Sequence, residues 1–119
     1  MSEQLKKLVA VFYRTASGAE PVRDWLKALP EEDRRRIGKD IATVEFAWPV
    51  GMPLCRSLRG GVWEVRSGLQ HGRISRVLFF NLKSQMVLLH GFIKKTQHTP
   101  AQDLQIADKR MKEVLSHGA

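Results

Sequence analysis

Residues 62–93 read VWEVRSGLQHGRISRVLFFNLKSQMVLLHGFI, and this stretch decides the fold. It contains three runs rich in apolar, β-branched and aromatic residues, separated by short polar or glycine-containing turns: residues 62–67, 73–82 and 86–93. Such runs are typical of β-strands. Three consecutive strands with short turns predict an antiparallel meander. The last run is the most apolar, which predicts a central strand covered on both faces.

Alternation within the first strand predicts which side chains share a face. Trp63 and Val65 should point one way and Glu64 and Arg66 the other. We expect Trp63 to pack in the core, with base stacking as the alternative. Glu64 is expected to form a salt bridge with an arginine, with proton acceptance as the alternative.

The elements around the meander follow from apolar residues at helical or strand spacing and from proline positions. They are a strand at residues 7–13, helices at 21–29 and 31–46, a connector at 48–53, a short irregular strand at 54–58 and a helix at 99–116. Thr99 is the predicted N-cap of the last helix. The order β-α-α-β-β-β-α predicts an α+β fold, with a helical hairpin and a C-terminal helix packed on an antiparallel-dominated sheet. The length of 119 residues predicts a single domain, 1–119.

Positive charge is concentrated in one part of the chain. The whole chain has a net charge of +8, and residues 56–95 hold eight Lys/Arg against one acid. The flanking segments are close to neutral, so a general need for solubility does not explain this distribution. Phosphate neutralisation supplies most non-specific affinity for nucleic acid, so the segment predicts a polyanion site. A solvated basic face without a partner is the alternative.

Several classes of site are excluded or disfavoured. Cys55 is the only cysteine, so we expect a small buried side chain and neither a disulfide nor a cysteine-based zinc site. The four histidines lack the spacing of a metal motif, and no phosphate-binding loop is present, so no metal and no cofactor are predicted. No apolar run is long enough to cross a membrane, and no signal peptide is evident, which predicts a cytoplasmic protein.

The cations of the meander suggest phosphodiester chemistry. Arg66 and Arg76 are predicted on neighbouring strands, with Lys94 and Lys95 where the last strand ends. Arginine can bind a phosphate with two hydrogen bonds and stabilise charge that develops during attack. A lysine among other cations could transfer a proton. In RNA the 2′-hydroxyl of the substrate is the nucleophile, so neither a metal nor a covalent intermediate is needed. The alternative is that these residues only hold a phosphate backbone.

Other residues were assigned by position. His98, in the loop after the lysine pair, is an acid–base candidate. His90 is expected to be a core histidine bonded to the backbone, with catalysis as the alternative. The run at residues 34–36 is expected to be a solvated face rather than an RNA contact. The remaining cations of the basic segment are the predicted RNA-binding residues: Arg56, Arg59, Arg73 and Lys83.

Three motifs resemble a known family. They are LRGGVWEVR at residues 58–66, GRISRVLFF at 72–80 and LLHGFIKKTQ at 88–97, the last followed by Thr99 and Pro100. Together they resemble the HigB-like branch of the RelE/ParE toxin superfamily, and the similarity covers nearly the whole chain. The resemblance implies a RelE-like fold and a ribosome-dependent mRNA endoribonuclease, the toxin of a type II toxin–antitoxin pair.

The resemblance also implies residues and partners. Arg66 and Arg76 match the strand arginines near the scissile phosphate, and Lys94 or Lys95 matches the basic residue ending the last strand. Some relatives use a C-terminal tyrosine, but this chain has none after Tyr13. The implied partners are the ribosome, mRNA and a helix-turn-helix antitoxin. A gyrase inhibitor of the ParE type and a non-catalytic RNA-binding module are the alternatives.

Overall fold

The structure is a computed structural model and describes residues 5–117. It contains three α-helices and five β-strands over that range. In chain order they are β1 (Val9–Phe12), α1 (Pro21–Ala28), α2 (Glu31–Ala47), β2 (Cys55–Ser57), β3 (Trp63–Gly68), β4 (Ile74–Leu82), β5 (Gln85–Lys94) and α3 (Ala101–Ser116). A short 3₁₀ turn, Gln70–Gly72, joins β3 to β4. The predicted α+β class is therefore confirmed, and the short strand after the connector is β2.

The five strands form one sheet in the order β1-β5-β4-β3-β2. Strand β1 pairs with β5 in parallel, whereas the other three pairings are antiparallel. The expectation that the most apolar strand is central was wrong, because β1 adds beyond β5 and β2 adds beyond β3. The central strand is β4, and β5 lies next to it.

The sheet separates two hydrophobic clusters. On one face, side chains of β3, β4 and β5 pack against α1 and α2, with Ile37 and Val44 of α2 fully buried. On the other face, β4 and β5 pack against α3 through Ala107 and Met111. Strand β5 is thus covered on both faces, as expected. Trp63 packs in the first cluster, with its ring 4.9 Å from that of Trp48, which confirms the packing expectation.

A β-bulge lies in the middle of β5. Leu78 pairs with His90, but Phe79 pairs with Leu88, so Leu89 has no opposite residue. An extra residue of this kind re-aims the side chains on its own strand. Leu89 packs in the α3 cluster, and the neighbouring His90 also contacts α3. Simple alternation would have placed these two consecutive side chains on opposite faces.

The predicted N-cap of the last helix was wrong. Helix α3 begins at Ala101, and Pro100 occupies the cap position without a side-chain hydrogen bond. The hydroxyl of Thr99 instead donates to Glu64 Oε2 at 2.7 Å. Thr99 therefore ties the loop before α3 to the sheet.

Helix α1 approaches β5 so closely that only glycine fits at residue 91. A Cβ atom at Gly91 would lie 2.4 Å from Cζ3 of Trp25. We expect Gly91→Ala to lower the free energy of unfolding by about 1–3 kcal/mol, since the indole must move within a packed core. Gly38→Ala is the control, because Gly38 lies in α2 with nothing near its Cβ position and should gain about 0.5–1 kcal/mol. Urea denaturation measures both, and a Gly91→Ala protein of wild-type stability would contradict this close packing.

Candidate active site

Two arginines face each other across the middle of the sheet. Arg66 of β3 is the register partner of Arg76 of β4, and Phe92 of β5 lies opposite Arg76. Directly opposed residues in antiparallel strands point to the same face, and here it is the face that carries α3. The prediction that the two arginines lie on neighbouring strands is confirmed. We call Arg66 and Arg76 the arginine pair.

Glu64 is the buried counter-charge of the arginine pair. Its side chain is 0% exposed, and Arg66 Nη1 donates to Glu64 Oε1 at 3.1 Å. The other carboxylate oxygen accepts from Thr99. The expected salt bridge is confirmed, and both carboxylate oxygens have partners.

Residues 95–100 form a loop over the arginine pair, and we call it the covering loop. Arg66 donates to the backbone carbonyl of Gln97 at 3.3 Å and to its side-chain Oε1 at 2.7 Å. Arg76 Nη2 donates to the backbone carbonyl of Thr96. With the bond from Thr99 to Glu64, the loop is held to the sheet at three points.

Arg76 is a buried cation with unused hydrogen-bond donors. It is 0% exposed, and its Nε and Nη1 atoms have no hydrogen-bond partner in the described structure. Its guanidinium carbon lies 5.6 Å from the centre of the Phe92 ring. Burial lowers the pKa of Arg76, and the charge of Arg66 lowers it further. A buried charge without full pairing is costly, so the fold maintains this group at the expense of stability.

The structure separates the predicted proton-transfer residues. Lys94 ends β5, and its Nζ lies 5.9 Å from the centre of the Phe92 ring and 3.7 Å from Asp103 Oδ2. Lys94 is therefore held beside the arginine pair. Lys95 and His98 are exposed on the covering loop, and no side-chain bond within residues 5–117 holds either of them there.

His90 bonds to a carboxylate rather than to the backbone, so that expectation was wrong. Its Nε2 lies 2.7 Å from Asp103 Oδ1, and its ring stacks on Phe92 at 5.7 Å. Sequence analysis missed Asp103, although an acid in the first turn of the helix after the lysine pair was a usable signal.

Among the four predicted RNA-binding residues, Arg56 is the one that lies near the arginine pair. Arg56 of β2 pairs in register with Glu64, and its charge contributes to the lowered pKa of Arg76. Arg59 is exposed in the loop that follows β2. Arg56 therefore extends the positive surface from the arginine pair onto β2, whereas Arg59 lies beyond the Trp63 end of β3.

The other two do not join this surface. Arg73 donates to both oxygens of Asp33 at 2.9 and 3.1 Å, which anchors the β3–β4 turn to α2. Lys83 lies in the β4–β5 turn at the opposite end of the sheet, roughly 20 Å from Arg76 at about 3.3 Å per residue. Their assignment to RNA binding stays a prediction, but neither residue lies beside the arginine pair, because Arg73 has a partner on α2 and β4 carries Lys83 away from Arg76.

The Arg73–Asp33 pair predicts a pH dependence of stability. Hydrogen bonds from Arg73 hold the pKa of Asp33 below its usual value. The charged carboxylate therefore stabilises the fold above about pH 4, and this contribution is lost as the pH falls through the lowered pKa. We expect Arg73→Gln to be less stable than wild type near neutral pH, with a difference that shrinks in acid.

Urea midpoints measured across the acid range test this expectation. Arg35→Gln is the matched control, because Arg35 pairs with Glu31 on an exposed part of α2. A stability difference for Arg73→Gln that stays constant with pH would contradict the role assigned to Asp33.

Cys55 is not a nucleophile in this structure. It is buried, and burial together with the nearby charge of Glu64 raises its thiol pKa to about 11. The expectation of a small buried side chain is confirmed. Within residues 5–117, no group of three or more His, Cys, Asp or Glu side chains is placed to hold a metal ion. No helix in that range is both long and apolar enough to cross a membrane.

A large, mainly apolar cavity lies away from the arginine pair. It measures about 970 Å³ and lies between β1 and the end of α3, with mainly apolar walls that include Val11, Val87 and Val114. Neither arginine lines it. We therefore place the candidate chemistry at the smaller, more polar surface around Arg66 and Arg76.

The fold is an α+β fold of the RelE-like kind, and its sheet carries the arginine pair. The family model of the phage-derived protein Gp49-like family (DUF891) matches residues 24–112, and the chain belongs to this family. The match runs from α1 into α3 and so includes the arginine pair, Glu64 and the covering loop. A search among curated proteins found no significant match.

Proposed function

We propose that this protein is the toxin of a type II toxin–antitoxin pair, of the HigB-like branch. In this proposal it is an endoribonuclease that cleaves mRNA in the ribosome and so stops translation. Membership of the Gp49-like family supports the toxin class. The chemistry of the arginine pair supports the nuclease.

The observation that carries the proposal is that Arg76 is buried and has hydrogen-bond donors without partners. A fully buried guanidinium with two unpartnered nitrogens is costly for folding alone. Its donors suit the oxygens of a phosphate, to which arginine binds with two parallel hydrogen bonds. Arg66 lies directly opposite and can bind the same group.

The reaction requires proton transfer and charge stabilisation. The substrate's 2′-oxygen forms a bond to phosphorus while the bond to the 5′-oxygen breaks. The proton of the 2′-hydroxyl passes to a base, and the 5′-oxygen receives a proton as it leaves. The arginine pair stabilises the negative charge on the phosphate oxygens in the transition state. Lys94, Lys95 and His98 are the proposed proton-transfer residues, and Lys94 is the one held beside the pair.

The covering loop must move before a phosphate can reach Arg76. The loop lies over the pair, and the carbonyl oxygens of Thr96 and Gln97 accept from Arg76 Nη2 and Arg66 Nη1. Phosphate oxygens accept the same hydrogen bonds with a full charge, so RNA can replace these carbonyls. We propose that the loop lifts when mRNA binds and brings Lys95 and His98 toward the substrate.

The proposed partners follow from the positive surface. Arg56 would hold the RNA backbone beside the arginine pair, and Arg59 would bind it further along the sheet, since phosphate neutralisation supplies affinity. A helix-turn-helix antitoxin is proposed to neutralise the toxin by covering this surface. The site of action is then the cytoplasm, where ribosomes translate mRNA.

Induced expression followed by primer extension tests the proposal. We expect growth arrest, with new mRNA 5′ ends at positions in the reading frame, and suppression when the antitoxin is expressed with the protein. Lys83→Gln is the control variant and should keep full activity, since Lys83 lies at the far end of the sheet. Arrest with intact mRNA would overturn the nuclease proposal, and inhibited gyrase in those cells would indicate the ParE type of toxin instead.

A further inference from the structure

A second cleft opens between Arg66 and helix α2. Its volume is about 300 Å³, within the ~300–1,000 Å³ typical of ligand pockets. Helix α2, the segment before β2, the start of β4 and the covering loop contribute its walls. The residues that matter here are Arg36, Asp40, Leu54, Arg66, Ile74 and Gln97.

The walls of the cleft combine apolar and polar groups. Leu54 and Ile74 are apolar, whereas Arg36 and Asp40 come from successive turns of α2. Arg36 Nε donates to Asp40 Oδ2 at 3.3 Å. The carboxylate is only 14% exposed, whereas the guanidinium side chain is 57% exposed. Proteins recognise unstacked RNA bases through hydrogen bonds to the base edges and through stacking on flat groups that include the arginine guanidinium. Arg36, Asp40 and Arg66 supply such groups here, and Leu54 and Ile74 supply apolar contact.

The cleft is continuous with the candidate active site, because Arg66 borders both. A phosphate held by Arg66 and Arg76 therefore has one of its neighbouring nucleotides within reach of the cleft. Arg36, Asp40, Leu54 and Ile74 lie outside the covering loop. The cleft consequently keeps these four walls when the loop moves.

We propose that this cleft binds the base next to the scissile phosphate and that Arg36 and Asp40 select guanine. This inference rests on the proposed nuclease function. Guanine presents N–H donors beside acceptor oxygen and nitrogen atoms. Asp40 accepts from the donors, and Arg36 donates to the acceptors, the contact arginine commonly makes with guanine. A base without this combination gives the partly buried Asp40 carboxylate no donor to accept from.

A neighbouring pair on the same helix supplies a matched control. Glu31 and Arg35 have the same charges and the same spacing of four residues, with a nitrogen–oxygen distance of 2.8 Å. Both are exposed, and neither borders the cleft beside Arg66. Pairs of this kind contribute little to helix stability, so all four side chains can be replaced in a folded protein.

The experiment measures cleavage of ribosome-bound mRNAs that differ only in the bases flanking the cleavage site. We expect wild type to cleave at least about 10-fold faster when one flanking base is guanine. Asp40→Asn and Arg36→Gln should each reduce this preference to about 3-fold or less, while cleavage itself persists. Glu31→Gln and Arg35→Gln should keep the wild-type preference.

The outcomes separate this inference from the proposed function. If wild type cleaves all templates equally, or if both cleft variants keep the guanine preference, the cleft does not select the base and only this inference fails. If wild type cleaves no template, the nuclease proposal fails and the inference fails with it. Thermal unfolding shows whether each variant is folded. If one of the two cleft variants has lost its fold, the guanine preference of the other variant tests the inference.

Discussion

Replacing Arg76 with glutamine is expected to reduce mRNA cleavage by about 100- to 1,000-fold, the range observed when one donor to a developing negative charge is removed. The same change should leave the free energy of unfolding unchanged or raise it. Arg76 is fully buried with two unpartnered nitrogens, and burying a neutral side chain there removes an uncompensated charge. Loss of activity without loss of stability is the signature of a group kept for chemistry.

Primer extension and urea denaturation of the same preparations measure the two effects. Arg76→Met provides a second test of stability, because methionine has no hydrogen-bonding group to satisfy in this position. Lys83→Gln again controls for the removal of a positive charge. If Arg76→Gln cleaves at the wild-type rate, or if both Arg76 variants are destabilised by several kcal/mol, Arg76 is a structural residue and the proposed site is wrong.

Glu64→Gln is expected to have the largest effect on stability, a loss of about 3–5 kcal/mol in the free energy of unfolding. The carboxylate is completely buried and accepts hydrogen bonds from Arg66 and Thr99. Its removal leaves the two cations of the arginine pair close together with no buried counter-charge between them. Total stabilities of domains are about 5–15 kcal/mol, so this loss is a large fraction of the whole.

A double variant separates charge balance from packing. If Glu64 stabilises the fold by balancing the arginines, Glu64→Gln combined with Arg76→Met should recover part of the lost stability, because one cation is removed with the anion. If Glu64 acts only through packing, the stability changes caused by Glu64→Gln and by Arg76→Met should be additive. Wild-type stability of Glu64→Gln, within about 0.5 kcal/mol, would show that the carboxylate contributes little as a counter-charge.

The sequence predicted much of the fold and part of the site. The three meander strands, the helical hairpin and the last helix all follow from local periodicity and proline positions, and each was found within a few residues of its expected bounds. Alternation and short turns were sufficient to bring Arg66 beside Arg76. The salt bridge of Glu64 also followed, since it is the one acid of the basic segment.

Other features could not be predicted from local patterns. The bulge at Leu89 puts His90 on the face of α3, and the partner of His90 is Asp103, on a different element. The sequence suggested that Arg73 belongs to the RNA surface, but its partner is Asp33 on α2, and tertiary packing brings the two together. The arginines at residues 34–36 are exposed, as the sequence predicted, but only the packing of α2 shows that Arg36 borders a cleft beside Arg66.

The sequence by itself determined the elements of this protein, its excess of positive charge and the strands that bear it. Those properties depend on residues a few positions apart, whose spacing fixes the face on which each side chain lies. Only the tertiary structure decided that the covering loop lies over the arginine pair and that Arg76 is buried with unused donors. Contacts between residues 20 or more positions apart depend on strand register and loop path, and neither is encoded in local periodicity.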